Sequence, residues 1–336
     1  MVEVFTLEKM AGYIQLVKWR RTGENMVPIR TNGLRKVYEK GVRKKKVTSL
    51  RGVDLEIQEG EIFGFVGPNG AGKSTTIKIL MGLLKPTQGH AWLYEKPAYD
   101  PSSRTSVGYL PENPSFYGYL SLFDLLFLVA DIRGLSKKEK KDRIFELVEL
   151  VDLEHAGKRQ VKTFSKGMIQ RAGIAVALVS DPDLLIFDEP MSGLDPFGRD
   201  LVAKLFRELQ AKGKTIFFST HILPDIEALC DRVGILVDGQ LRYVGSVQDM
   251  LFSEEKTLEM TIRLPLGTEI EKIPFRGTSR ILWKKENIYR LETNEEDLPY
   301  NIEEISRSGG SIIKIERKRR TFEELYKELV SGNPRM

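Results

Sequence analysis

One run of nine residues, Gly67-Pro68-Asn69-Gly70-Ala71-Gly72-Lys73-Ser74-Thr75, narrows what this chain can fold into more than any other feature. It follows the apolar stretch Ile62-Phe63-Gly64-Phe65-Val66 and leads into Thr76-Ile77-Lys78, so a glycine-rich loop leaves a strand and a helix begins at Thr76. The pattern G-x-x-x-x-G-K-[ST] lets consecutive backbone N–H groups wrap phosphates, and the helix N-terminus adds positive potential. In such a loop Lys73 reaches the β and γ phosphates, and the Ser74 hydroxyl coordinates Mg²⁺. The expectation is an α/β fold holding a nucleoside triphosphate along Gly67 to Thr76.

A second acidic element completes that site. Asp183-Leu184-Leu185-Ile186-Phe187-Asp188-Glu189-Pro190 is an apolar run ending in two carboxylates, and it reads as a buried parallel strand. A carboxylate at the C-terminal end of such a strand sits beside the phosphate loop, where the metal binds, and a second one just beyond can orient or deprotonate water. Asp188 is read as the metal residue and Glu189 as the base.

Composition bounds the rest. At 336 residues, 41% hydrophobic and 29% charged, the chain has room for two globular domains. Its longest apolar runs, Ile174 to Val179 and Leu184 to Phe187, fall far short of a membrane span. The single cysteine, Cys230, excludes an internal disulfide and fits a cytoplasmic setting. The net charge of +5 gathers at Arg43 to Lys46 and Lys314 to Arg320, without interleaved aromatic residues, so nucleic acid is not expected as a partner. Met1 to Arg21 sets Phe5, Leu7, Tyr13, Ile14, Leu16, Val17 and Trp19 against Lys18, Arg20 and Arg21. That segment is read as an amphipathic helix on the domain, a partner or a membrane surface, with a poorly ordered tail as the alternative. Met26 offers a second initiation point, just before a first strand opened by Val27-Pro28-Ile29.

Between the loop and the acidic strand stands Thr163-Phe164-Ser165-Lys166-Gly167-Met168-Ile169-Gln170-Arg171, followed by a helical Ala172 to Ser180. Here the chain resembles the ATP-binding cassette (ABC) ATPases, whose signature is close to Leu-Ser-Gly-Gly-Gln at a helix start. The order of motifs agrees throughout. Leu110-Pro111-Glu112-Asn113 stands at the Q-loop position, Ser192-Gly193-Leu194-Asp195 at the D-loop, and His221 follows a strand over Thr215 to Ser219. The resemblance covers about residues 30 to 245, and Tyr38 falls where the family places an aromatic that stacks on adenine. Two departures, Ser-Lys-Gly-Met in the signature and Glu112 in place of Gln, look like the ABC-A-like prokaryotic branch, which serves two-component exporters.

The resemblance implies ATP and Mg²⁺ as ligands and a head-to-tail pair of ATPase subunits, a homodimer being sufficient. Lys73, Ser74, Thr75, Glu112, Asp188, Glu189 and His221 then act from one side, with Glu112 near Mg²⁺ and His221 at the γ phosphate. Ser165, Gly167 and Asp195 act on the partner's nucleotide. It further implies work at the cytoplasmic face of the membrane, attached through permease subunits that another chain supplies. Residues 28–246 are expected as the ATPase domain after an extension over 1–27. A helical subdomain is expected at about 116–162, with helices over Leu120 to Ile132 and Lys137 to Leu150 and with Leu122, Leu125, Leu126 and Val129 in its core. Short alternating strands and two helices after residue 246 read as a small α+β domain over 247–336. The rival reading, a soluble ABC protein acting on ribosomes or nucleic acid, lacks a second cassette and the long coiled-coil insertions of those branches.

Overall fold

The computed structural model describes residues 26–40, 45–251, 257–277, 280–317 and 321–331. The amphipathic segment Met1 to Arg21 lies outside the described residues, as do Arg43, Lys44 and residues 318–320 of the basic clusters. The chain divides into two units, Met1–Val247 and Gln248–Met336.

The first unit opens with β1 (Ile29–Lys40), β2 (Lys45–Ile57), β3 (Ile62–Val66), helix α1 (Lys73–Leu80), β4 (Gln88–Leu93), β5 (Lys96–Pro97) and β6 (Val107–Leu110). Helices α2 (Leu122–Ile132), α3 (Lys137–Leu150) and α4 (Lys166–Leu178) follow. The unit then runs β7 (Leu184–Asp188), α5 (Pro196–Ala211), β8 (Thr215–Thr220), α6 (Leu223–Leu229), β9 (Arg232–Val237) and β10 (Gln240–Ser246). Two sheets result. An antiparallel one runs β2-β1-β4-β5, and a six-stranded one runs β10-β9-β3-β8-β7-β6.

In the larger sheet β9, β3, β8, β7 and β6 are parallel, and β10 adds an antiparallel edge. Every residue of β3, β7 and β8 is buried, which is why these strands read as unbroken apolar runs. Phe217 stacks between Phe63, 5.9 Å away by ring centroids, and Phe65, 5.4 Å away. Each such fully buried side chain contributes roughly 1.5–3 kcal/mol. The helices end where their sequences cap them. Ser121 and Ser136 each accept a bond from the third residue of α2 and α3, and Asp124 and Glu139 reach back to the cap N–H groups.

Two helix starts and the burial of one residue differ from expectation. α1 begins at Lys73 rather than Thr76, because Gly72 at φ 114 turns the chain straight into the helix. α4 begins at Lys166 rather than Ala172, with Ser165 as its cap. Val129 is half-buried, while Leu122, Leu125 and Leu126 are buried as expected.

A short helix α7 (Val247–Leu251) falls at the division between the units. The second unit holds β11 (Thr257–Arg263), β12 (Arg280–Lys285), β13 (Ile288–Asn294), helix α8 (Leu298–Arg307), β14 (Ser311–Arg317) and helix α9 (Phe322–Ser331). Its strands form an antiparallel sheet, β12-β13-β11-β14. Met260 and Ile262 of β11, Tyr289 and Leu291 of β13 and Ile305 of α8 make a core of their own.

Candidate functional site

Strand register sets the site. Val66 pairs with Thr220, and Asp188 with Ser219, so the phosphate loop, both carboxylates and His221 leave the parallel sheet at one level, beyond its carboxyl ends. The first intrahelical bond of α1 runs from the Thr76 N–H to the Gly72 carbonyl at 2.9 Å. The N–H groups of Lys73, Ser74 and Thr75 therefore precede the helical ladder and can take an anion. The loop allows no side chains at its closest approaches. A Cβ on Gly67 would lie 2.2 Å from the Leu236 carbonyl oxygen, and one on Gly72 2.7 Å from that of Ser49.

The Lys73 ammonium is buried, donates to the Gly67 carbonyl at 2.7 Å and stands 3.6 Å from Glu189 Oε1. Ser74 Oγ lies 3.3 Å from Asp188 Oδ1. The Thr75 hydroxyl takes a 2.9 Å bond from Ser49 and sits 3.4 Å from the hydroxyl of Tyr38, whose ring lies under the Lys36 ammonium at 5.3 Å. The hydroxyl of Thr76 turns back to the Gly72 carbonyl at 3.1 Å.

Ser219 joins the two carboxylates. Its hydroxyl donates to Asp188 Oδ1 at 2.6 Å and accepts the Glu189 N–H at 3.0 Å. Glu189 itself has φ 53, left-handed backbone that costs a non-glycine residue about 1 kcal/mol or more. Its carboxylate lies 2.9 Å from His221 Nδ1, which must be the donor, and the half-exposed ring leaves Nε2 for a second partner.

Neighbouring groups feel this charge. Burial, and then Asp188, push the Tyr109 phenol up to about 12. Burial also raises the Asp225 carboxyl, with Arg199 opposing, Glu189 reinforcing and His221 opposing.

Ser165, Gly167 and Asp195 form a second group. Ser165 caps α4 by accepting the Met168 N–H at 3.2 Å, and Asp195 caps α5 through the Gly198 N–H at 2.7 Å. They are neighbours because the Lys166 side chain covers Gly193, whose φ of 75 favours glycine, and Gly167 lies in van der Waals contact with Leu194. Glu112 is exposed in the loop after β6. Ser49, Ser219, Gln170 and Asp225 were not singled out in the sequence. The one local signal is the polarity of Gln170 on a helix face otherwise buried and apolar.

The donor set fits a nucleotide with a hard cation. Ser74 and Asp188 offer oxygens at one point, and the described residues contain no group of three or more His, Cys, Asp or Glu able to hold a metal alone, so the phosphates would supply the remaining oxygens.

This sheet with its phosphate loop defines a P-loop nucleoside triphosphatase. A family model described as ABC transporter matches residues 50–192. The uncharacterized ABC transporter ATP-binding protein all4389 of Nostoc is 38% identical, over 89% of this chain and 88% of its own. The bacitracin transport ATP-binding protein BcrA of Bacillus licheniformis is 41% identical, over 63% of this chain and 68% of its own. Among solved structures, the dimeric bacterial ABC transporter cassette MJ0796 is 26% identical and superposes with TM-score 0.61, over 65% of this chain and 98% of its own. The chain belongs to the family of ABC transporter ATP-binding proteins. It is an ATPase and the ATP-binding subunit of a transporter, and no helix among the described residues is long and apolar enough to cross a membrane.

Proposed function

We propose that this chain powers export through a separate membrane permease, as one of two identical ATPase subunits at the cytoplasmic face. The observation that carries the reading is the convergence of Lys73 and His221 on the Glu189 carboxylate, beside Asp188 with Ser74 at 3.3 Å. BcrA, named for bacitracin transport, and a linearmycin resistance ATP-binding protein support export, and the dimeric MJ0796 cassette supports pairing.

Residues Gly67 to Thr76 hold the phosphates through backbone N–H groups, and Tyr38 takes the adenine. Ser74, Asp188 and Glu112 would hold Mg²⁺, which would neutralise charge on the phosphates. Glu189 accepts a proton from water as the water oxygen bonds to the γ phosphorus and the bond to the ADP oxygen breaks. Lys73 and His221 meet the charge that grows on the γ oxygens, so the rate comes from positioning and electrostatics. Ser165, Gly167 and Asp195 meet the partner's nucleotide. Tyr117 and Tyr119, 63% and 67% exposed and 5.8 Å apart by ring centroids, lie a few residues past Glu112 and support a permease contact there.

The test is Glu189→Gln. Turnover falls by about 10²–10⁴-fold while ATP binding persists, and the variant accumulates an ATP-bound dimer in size-exclusion chromatography. Pulled down with ATP from detergent-solubilised source cells, it carries a polytopic membrane protein in stoichiometric amount. Near-normal hydrolysis removes Glu189 from the base role, and recovery of ribosomes with no membrane protein overturns the transporter assignment.

A further inference from the structure

The left-handed backbone of Glu189 is held from both sides. Its N–H is bound by the Ser219 hydroxyl at 3.0 Å and the Ser219 carbonyl at 3.2 Å. Its carbonyl accepts the Ser192 N–H at 3.0 Å and the side-chain amide of Gln170, Nε2, at 3.1 Å. The Ser192 bond closes a turn within the loop and moves with it. Gln170 is the tether to a different element, helix α4, whose first residue follows Ser165.

We propose that Gln170 is a positioning residue for hydrolysis, tying the backbone of Glu189 to the helix that Ser165 opens and thereby fixing where the carboxylate points. The inference rests on the reading of Glu189 as base. Gln170 is 1% exposed, and a carboxamide so deep is costly unless its hydrogen bonds are used. With the N–H pinned to β8 and the carbonyl pinned to α4, both peptide planes flanking the Glu189 Cα are fixed. The direction of its Cα–Cβ bond is then fixed too, and the carboxylate starts from a set origin toward His221 and Lys73. Gln170 lies five positions after Ser165, about 7.5 Å along a rigid helix, so a displacement at the helix start reaches Glu189 with little loss. The group that meets the partner's phosphate and the base for this chain's own nucleotide are thereby mechanically joined inside one subunit.

Two variants of the full chain test this, with Glu189→Gln as control. Gln170→Met keeps the length and volume and removes the donor. Gln170→Glu restores a donor only when its carboxyl is protonated, and an ionised carboxylate repels the Glu189 carbonyl. The expected result for Gln170→Met is a kcat about tenfold lower or less, with KM for ATP and the melting temperature unchanged. For Gln170→Glu, kcat relative to wild type rises as pH falls from about 8.5 to about 6, because burial lifts the new carboxyl into that range. A merely structural residue would lower the melting temperature and give no such pH-dependent rescue. Wild-type kcat in Gln170→Met, or a flat ratio for Gln170→Glu, overturns the inference. Should Gln170→Met fail to fold, the pH ratio of Gln170→Glu decides alone. An inactive Glu189→Gln beside a normal Gln170→Met removes only this inference, whereas an active Glu189→Gln removes the base assignment beneath it.

Discussion

Asp225 shows how a half-buried carboxyl can contribute to the pH response of the nucleotide-binding unit. Desolvation raises its folded pKa above the unfolded value of a free aspartate, with Arg199 and His221 only partly offsetting the effect. Between those two pKa values the native state holds more protons than the unfolded chain, so stability falls as pH rises through that window and stays lowered above it. Asp225→Asn removes the titration. The variant is expected to be more stable than wild type at pH 8, with the difference shrinking as pH falls toward about 4. Urea midpoints at the two pH values check this, and a gap independent of pH would refute it. Lys73, Ser74, Asp188 and Glu189 stand at fixed offsets from strand ends, so local pattern places them, whereas His221 is legible only through the order of motifs shared with the family. Gln170 and Ser219 act on Glu189 from 19 and 30 residues away, and no local pattern encodes which backbone group a folded helix or strand will bring beside them.

Helix α4 is the element on which the most depends, since Ser165 caps it, it carries Gln170 and it packs on the strand that leads to Glu112. Gly173 makes that packing fit. A Cβ there would fall 2.4 Å from Leu110 Cδ1 and 3.4 Å from Pro114 Cγ, at the end of β6 and just past Glu112. Gly173→Val is expected to destabilise the protein by about 1–3 kcal/mol through overpacking, and the gain in helix propensity over glycine is too small to cancel it. A guanidinium unfolding curve should show a lower midpoint at an unchanged slope. An unaltered midpoint would mean that the helix has room to move away from β6. Glycine also explains one helix start that differs from its pattern. α3, whose first turn is Lys137-Lys138-Glu139 behind the cap Ser136, runs over the residues its pattern suggests. α1 begins earlier than its pattern suggests, because Gly72 reads as a loop residue while serving a close backbone approach at the helix start, 2.7 Å from the Ser49 carbonyl oxygen for an added Cβ.

At the scale of the whole molecule, the buried strands β3, β7 and β8 were legible as continuous apolar runs, but the sheet β2-β1-β4-β5 was not. Its pairing of Ile29 with Leu93 and Arg35 with Gln88 joins segments more than fifty residues apart, with β-bulges that break the alternation a strand pattern relies on. The two units each carry a hydrophobic core, one around Phe63, Phe65 and Phe217 and the other around Met260, Tyr289 and Leu291. The residues proposed to bind the nucleotide all fall within 38–221, in the first unit. Mass action then predicts an asymmetric response to ligand. Mg-ATP at about a hundred times its dissociation constant adds about 2.7 kcal/mol to whatever binds it. For a unit of this size each kcal/mol moves the melting temperature by about 2–4 °C. Calorimetry of the non-hydrolysing Glu189→Gln chain should therefore resolve two transitions, one rising by about 5–11 °C with Mg-ATP and one that does not move. A single transition shifting as a whole would show instead that the second unit shares the stability of the first, and that nucleotide binding is felt by both.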